Sequence, residues 1–334
     1  MTDLPETVAR LIGEAPMPAV AVSVFDRGAV LACQVAGTAD LTTGRAVTPD
    51  EWWDLASLTK SLVTLPEVLD LVAEGRLALE RPLAESWPRA AGLPVGAASA
   101  ADLLSHRAGL PATVRFFETL SGAEAIVDAA LRTPLGSPGP AVYSDLGFIL
   151  LGALVADLRG AGLAELAGNR TGLRLGRAPG PAAATEQCPW RGRLIAGEVH
   201  DENAWAMGGV AGHAGGFGTV ELVTAAAQSW LAERVVDPGL HAAARRCWST
   251  NAGGERYGLG WWLAPTRGIG GPAPGPDGYG ASGFVGNRVW FEPGRGYGVV
   301  ILSNRVHPAR GDRAPFAAWC DRVLAAVRQD RAHG

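Results

Sequence analysis

The 334 residues are 48% hydrophobic, carry a formal net charge of −4 and hold four cysteines. The sequence pI is about 5.9 and the mean hydropathy is +0.12. That is enough apolar material for one large core or two lobes. No basic patch suits a nucleic acid, no charge run suits a membrane surface, and no apolar run reaches the roughly 20 residues of a membrane span. The opening residues lack the basic and apolar regions of a secretion signal, so a cytoplasmic location is expected. Cys33, Cys188, Cys247 and Cys320 lie far apart without C-x-x-C spacing. Neither a zinc site, a redox pair nor any cofactor is therefore expected. Nothing in the sequence speaks to oligomeric state.

In chain order, residues 19–25 and 29–35 read as a β-hairpin around Asp26-Arg27-Gly28. Residues 51–56 read as a short strand, with Trp52 and Trp53 supplying β-favouring bulk. From Ser57 the apolar residues recur at Leu58, Leu62, Leu65, Leu69 and Val72, which is helical spacing. Pro66 should kink or split this helix, and Gly75 is placed to end it. Beyond Gly75 the pattern is mostly helical. Ser99 with Asp102, and Ser121 with Glu124, have capping-box spacing. A helix is expected over 145–158, and irregular chain over 170–205. A glycine-dense loop spans 208–218, and Thr219 caps a helix reaching about residue 234. Residues 257–263 read as a strand, 265–278 as a loop, and 288–291 with 297–302 as a second hairpin. A helix over about 313–328 closes the chain. Strands at both ends and helices between them predict an α+β fold. In it an antiparallel sheet, flanked by helices and built from residues 1–75 and 206–334, carries an inserted helical lobe over 76–205, with the active site between them.

One residue stands apart. Of 29 basic residues only Lys60 is a lysine. A guanidinium stays charged, whereas a buried ammonium can lose its proton. A base is thus the one role that an arginine-rich chain cannot hand to arginine. Ser57 lies three residues earlier, on the same face of the helix, at a helix start where N–H groups favour a developing anion. A serine beside a base is the logic of an activated nucleophile. The bland alternative is a serine N-cap followed by a solvated cation. Two further stretches carry chemistry. Tyr143-Ser144-Asp145 supplies a phenol that can shuttle a proton if a cation supports it. Tyr279-Gly-Ala-Ser-Gly-Phe-Val-Gly286 is a strand whose small residues let a backbone approach a ligand. H-E-x-x-H, a phosphate loop and Gly-x-Ser-x-Gly are all absent.

Ser57-Leu-Thr-Lys60, Tyr143-Ser-Asp145 and Ala281-Ser-Gly283, in this order, resemble the three motifs of the serine β-lactamase and penicillin-binding-protein superfamily. The class C β-lactamase and related esterase branch is the nearest part. Leu103-Leu-Ser-His-Arg-Ala-Gly-Leu-Pro111 and the loop from Gly208 to Thr219 are similar to that branch too, so the likeness runs from about residue 17 to 325. The resemblance implies a β-lactamase/transpeptidase-like fold, with Ser57 as nucleophile, Lys60 orienting it and keeping its proton low, and Tyr143 as general base. It implies an oxyanion hole from the Ser57 and Phe284 N–H groups, and a substrate-binding wall from Asp145, Ala281, Ser282 and Gly283. His213 is expected to line the cleft and His106 to be structural; His307 is weighed as a neighbour of the substrate. A free amine near 10.4 is almost wholly protonated at neutral pH, so burial is expected to lower Lys60 if it is the base. Two positions depart from the family. Asp145 stands where Asn is usual and loses an amide donor. Ala281 stands where Lys or His helps receive a substrate carboxylate. The expectation is therefore a serine hydrolase, most simply an esterase on uncharged esters or amides. The alternatives are a β-lactamase or D-amino-acid peptidase, with Arg288, Arg310 or Arg313 supplying the missing charge, and a non-catalytic penicillin-binding-protein-like module.

Overall fold

A computed structural model describes residues 3–266 and 268–333. Its centre is a nine-stranded antiparallel sheet drawn from both ends of the chain. β1 (Ala19–Asp26) and β2 (Val30–Asp40) form the expected hairpin. Its turn is fixed by Asp26 Oδ1, which accepts from the N–H groups of Gly28 and Ala29 at 2.8 Å. β3 (Arg45–Ala46) continues the edge. Beside β1 lies the last strand, so Val20 pairs with Ser303 and Asp26 with Tyr297. The short strand expected over 51–56 is β4 (Trp53–Asp54); with β8 (Gly216–Gly218) and β5 (Arg174–Leu175) it makes a separate three-stranded sheet. β6 (Ala184–Cys188) and β7 (Arg193–Ala196) form a hairpin. The large sheet is completed by β9 (Ser249–Thr250), β10 (Arg256–Tyr257), β11 (Trp262–Leu263), β12 (Tyr279–Gly283), β13 (Asn287–Glu292) and β14 (Tyr297–Ser303). Its order is β3-β2-β1-β14-β13-β12-β11-β10-β9.

The helices are α1 (Leu4–Gly13), α2 (Leu65–Ala73), α3 (Leu83–Ser86), α4 (Ala100–Leu104), α5 (Ala123–Arg132), α6 (Asp145–Arg159), α7 (Leu163–Thr171), α8 (Glu202–Ala206), α9 (Val220–Leu231), α10 (Pro238–Ala244) and α11 (Ala314–His333). Both sheet faces are buried, which the alternation of side chains makes plain. Ala19, Ala21 and Phe25 of β1 enter the core shared with α2, α6 and α9. Val20, Val22 and Val24 enter a second core beneath α1 and α11. Trp319 of α11 donates from Nε1 to the Leu11 carbonyl at 2.7 Å, tying the two terminal helices together.

Several expectations change in detail. The strand read over 257–263 is a reversal between β10 and β11. Gly260 takes φ +70°, a turn conformation open to glycine, and Gly258 donates to the Trp261 carbonyl at 2.8 Å. α4 has its capping box, with Asp102 N bonded to Ser99 Oγ at 3.1 Å and Ser99 N to Asp102 Oδ2 at 2.8 Å. α5 does not: Gly122, at φ +93°, is its N-cap, so Ser121 falls outside the capping position. The span 170–205 carries β5 to β7 and α8, not irregular chain alone. The sequence reading passed over α1, although Leu4, Val8, Leu11 and Ile12 have helical spacing and are buried. Pro66 falls in the first turn of α2, where the helical run changes from a π turn to α. A π turn over Lys60–Thr64 precedes α2, with Leu65 N–H bonded to the Lys60 carbonyl. The longer loop absorbs a residue that brings no N–H of its own.

Candidate active site

β4 ends at Asp54, whose buried carboxylate organises the turn that follows. Oδ1 accepts from Ala56 N and Oδ2 from His200 N, both at 2.7 Å. Burial raises its pKa against the pull of His200. Ala56 has φ +46°, a strained conformation for a residue with a Cβ. The turn delivers Ser57, half-buried, to the wall of a cleft of about 750 Å³.

Lys60 lies one turn on and is 2% exposed. Its Nζ donates to Ser57 Oγ at 2.7 Å and to the His213 carbonyl at 3.2 Å, and pairs with Asp145 Oδ1 at 2.7 Å. Three acceptors around Nζ match the three donors of an ammonium. Burial acts to lower the Lys60 pKa. The charges of Asp145 and Tyr143, the Asp145 hydrogen bond and the more distant Asp201 outweigh it, and the net shift is upward. A lowered amine is expected only if Lys60 is the base, and the upward shift favours the reading in which it is not. Arginine is still a poor substitute, because a planar fork cannot meet three acceptors grouped around one nitrogen.

Tyr143 and Asp145 come from the start of α6. The Tyr143 ring centroid is 5.1 Å from Lys60 Nζ, and the ring stacks on Trp262 at 5.7 Å. Beneath it, at 4.3 Å, lies His106. His106 is buried with φ +61°, and its Nδ1 accepts from Ser144 N at 3.1 Å. Burial and the nearby Lys60 push its pKa down to about 3, so the ring is a neutral support for Tyr143, in keeping with the structural role expected of it.

β12 forms the facing wall. Ser282, Gly283 and Phe284 line the cleft. Gly283 passes so close to the Ser57 turn that a Cβ there would lie 2.6 Å from the Leu55 carbonyl oxygen. Among the described residues, neither the Ser57 nor the Phe284 N–H donates to a backbone carbonyl. Both residues line the cleft, and the two donors are free to meet an anion there. Two expected wall residues are elsewhere. Ala281 is 4% exposed and puts its methyl into the larger core, on the opposite side of the strand from Ser282. His213 is 1% exposed, because its Nε2 is held by Asp201 Oδ1 at 2.9 Å; its main-chain carbonyl, not its ring, reaches the site. His307 is buried too, its Nε2 accepting from Leu41 N at 2.9 Å.

Sequence reasoning missed Arg305, Asp201, His200 and the Phe284 ring, all of which line the cleft. Arg288 and Arg313, weighed above as sources of charge, line it as well. Arg305 has no carboxylate partner among the described residues; it donates to the Phe284 carbonyl at 2.7 Å, and burial and Arg313 lower its pKa. Arg310 is neutralised by Glu186 and Glu202. A run such as Ser303-Asn-Arg305 at a strand end gives no local hint that the cation turns inward.

Comparison with known sequences gives the family. A profile of the beta-lactamase family matches residues 4–320. The chain belongs to the beta-lactamase family. Within it, the chain is 29% identical over 341 residues to a putative D-alanyl-D-alanine carboxypeptidase of Escherichia coli (strain K12), covering 83% of this chain and 77% of that one. It is 26% identical over 300 residues to an N-acetylmuramyl-L-alanine amidase of Bacillus subtilis (strain 168), covering 76% and 68%. A family VIII carboxylesterase of known structure superposes with a TM-score of 0.76 over 97% of this chain and 96% of that one, at 18% identity, and so shares the fold. Beta-lactamase family relatives are hydrolases, and a serine hydrolase is the general class this chain falls in.

Proposed function

We propose that this protein forms an acyl-enzyme on Ser57 and hydrolyses it. The reading rests on one observation above all: the chain's single lysine sits buried between Ser57 Oγ and Asp145 Oδ1, 2.7 Å from each. In this reading Ser57 Oγ attacks an ester or amide carbonyl. Lys60 is a cation that donates to Ser57, so it does not take the serine proton at rest. In this reading Tyr143 enters the step as a phenolate with the Lys60 ammonium as its counter-charge, takes the Ser57 proton as Oγ attacks, and becomes a neutral phenol. The N–H groups of Ser57 and Phe284 receive the oxyanion. The leaving group takes its proton from Tyr143, and water then releases the acyl group by the same steps in reverse.

For the substrate, an uncharged ester or amide remains the first reading, because Ala281 brings no cation. Arg288, Arg305 and Arg313 on the cleft wall favour a second: a substrate with a carboxylate, as in a D-amino-acid peptide. Arg305, buried and without a carboxylate partner among the described residues, would supply the charge the third motif lacks.

The test is intact-protein mass after incubation with a fluorophosphonate, with turnover of a short-chain p-nitrophenyl ester and of a D-alanyl-D-alanine dipeptide. Wild type should gain one phosphonate adduct, absent in Ser57→Ala. Turnover should fall by roughly 10²- to 10⁴-fold in Tyr143→Phe and be lost in Lys60→Arg. Unlabelled wild type without turnover would leave the non-catalytic module. Dipeptide turnover lost in Arg305→Ala would select the second substrate reading over the first.

A further inference from the structure

Beyond the Ser57 cleft the wall continues into a second concavity of about 290 Å³, lined by Arg115, Phe117, Gln187 and Trp190. Two side chains, Glu202 and Arg310, line both spaces, so they adjoin. The Phe284 ring, 40% exposed, carries the Arg310 guanidinium 5.2 Å from its centroid and marks the passage between them.

The aromatic groups here are displayed. Trp190 is 42% exposed and Trp205 38%. They meet edge to face at 5.3 Å, and Phe117 closes on Trp190 at 4.8 Å. Trp190 stands at the tip of the β6–β7 hairpin. Arg191 beside it donates to the carbonyls of Val199 and His200 at 2.7 and 2.6 Å and lies 5.2 Å from the Trp205 ring. Trp205 Nε1 is fixed on Glu198 at 3.1 Å. The platform is therefore rigid before any ligand arrives, which removes the ordering cost of binding. Its rim is polar and also fixed, because Arg310 is clamped between Glu186 and Glu202.

We infer that this concavity is a subsite for a pyranose ring carried by the substrate beyond its reacting carbonyl. A wholly apolar ligand would strip water from two carboxylates and a guanidinium and return no hydrogen bonds. A small ion would leave the aromatic faces unused. A sugar ring presents C–H groups on one face and hydroxyls at its edge, and so meets both parts: the rings below, and the acceptors of Glu202 and donors of Arg310 and Gln187 at the side. The volume suits a single ring, near the lower end for small-molecule sites. The inference extends the acyl-transfer reading by naming what the substrate bears. It rests on that reading for its purpose, not for its test.

The experiment is saturation-transfer NMR and tryptophan fluorescence with free N-acetylglucosamine, and with phenol as the aromatic comparator. It uses wild type, Trp190→Ala and Gln187→Ala, each checked for folding by circular dichroism and for association by size exclusion. The expected result is saturable sugar binding in the millimolar range, about tenfold weaker in Trp190→Ala and a few-fold weaker in Gln187→Ala. Absence of saturation in wild type, binding unchanged by both substitutions, or phenol bound more tightly than the sugar would each overturn it. So would a change of association state in Trp190→Ala, which would make the platform a protein interface. Fluorophosphonate labelling of wild-type Ser57, recorded separately, reports on the acyl-transfer reading alone.

Discussion

At the scale of single residues, the chain's composition singled out Lys60 and left open whether it or Tyr143 is the base. A lone lysine suggested an amine able to lose its proton. The partner that keeps it charged, Asp145, comes from a helix start 85 positions away, and no local pattern reports that pairing. His106 illustrates the opposite case: a buried group held neutral. Its pKa of about 3 lies below the ordinary 6.5, so the folded state disfavours its protonation. Its contribution to stability is fully present above pH 6.5 and is lost as pH falls toward 3. By pH 4.5 a shift of this size corresponds to about 2–3 kcal/mol at most. His106→Asn should remove that dependence, since Asn tolerates positive φ and its Oδ1 can accept from Ser144. Thermal melts between pH 7 and pH 4 should show wild type losing more Tm than the variant, by several degrees. Equal slopes would mean that His106 is not the group responsible.

Among the elements, the one contact that sets the reactive geometry is the approach of β12 to the turn before Ser57. Gly283 allows it, since any Cβ would meet the Leu55 carbonyl oxygen and backbone must then move. Gly283→Ala should therefore shift the Phe284 N–H away from the oxyanion position. A displaced donor lowers kcat by roughly 10²- to 10³-fold, while overpacking costs about 1–3 kcal/mol of stability. Kinetics on the p-nitrophenyl ester, beside a melt, would separate the two. A variant with kcat near wild type would show that this approach does not position the donor. The same strand shows what a sequence can say. Ser57 and Lys60 are one helical turn apart, and that spacing is local. Tyr143 and the 281–284 stretch became legible only through resemblance, because their meeting depends on the whole sheet and on α6. Ala281 and His213 were assigned to the cleft from motif position, but which side of a strand or loop a side chain takes is decided by its neighbours: the core for Ala281, Asp201 for His213. The reversal at Gly258 to Gly260 was lost because a short turn between two-residue strands looks like one continuous strand.

For the molecule as a whole, size and packing point in different directions. A chain of 334 residues exceeds the length at which single cores usually divide, and the sequence itself suggested two lobes. Yet the larger core runs through both. It joins Trp87, Leu104 and Leu154, from the inserted 76–205 segment, to Leu69, Trp230, Phe291 and Leu302 of the other lobe. The two ends of the chain close the sheet through β1 and β14, so the sheet lobe is not complete in one continuous stretch. We therefore expect one cooperative unfolding transition, with the helical signal at 222 nm and tryptophan fluorescence coinciding. Two substitutions test it from opposite sides. Trp87, 1% exposed and bonded to Asp157 at 2.7 Å, belongs to the helical segment. Trp319, wholly buried, lies in the second core outside the sheet. Each change to alanine should cost about 3–5 kcal/mol and lower the same single transition. If Trp87→Ala instead melted part of the helical signal early and left the remainder at the wild-type Tm, the lobes would be separate folding units. The cleft would then lie between bodies free to open, whereas a shared core holds Tyr143 and Asp145 of one lobe against Ser57 and Lys60 of the other at a fixed distance.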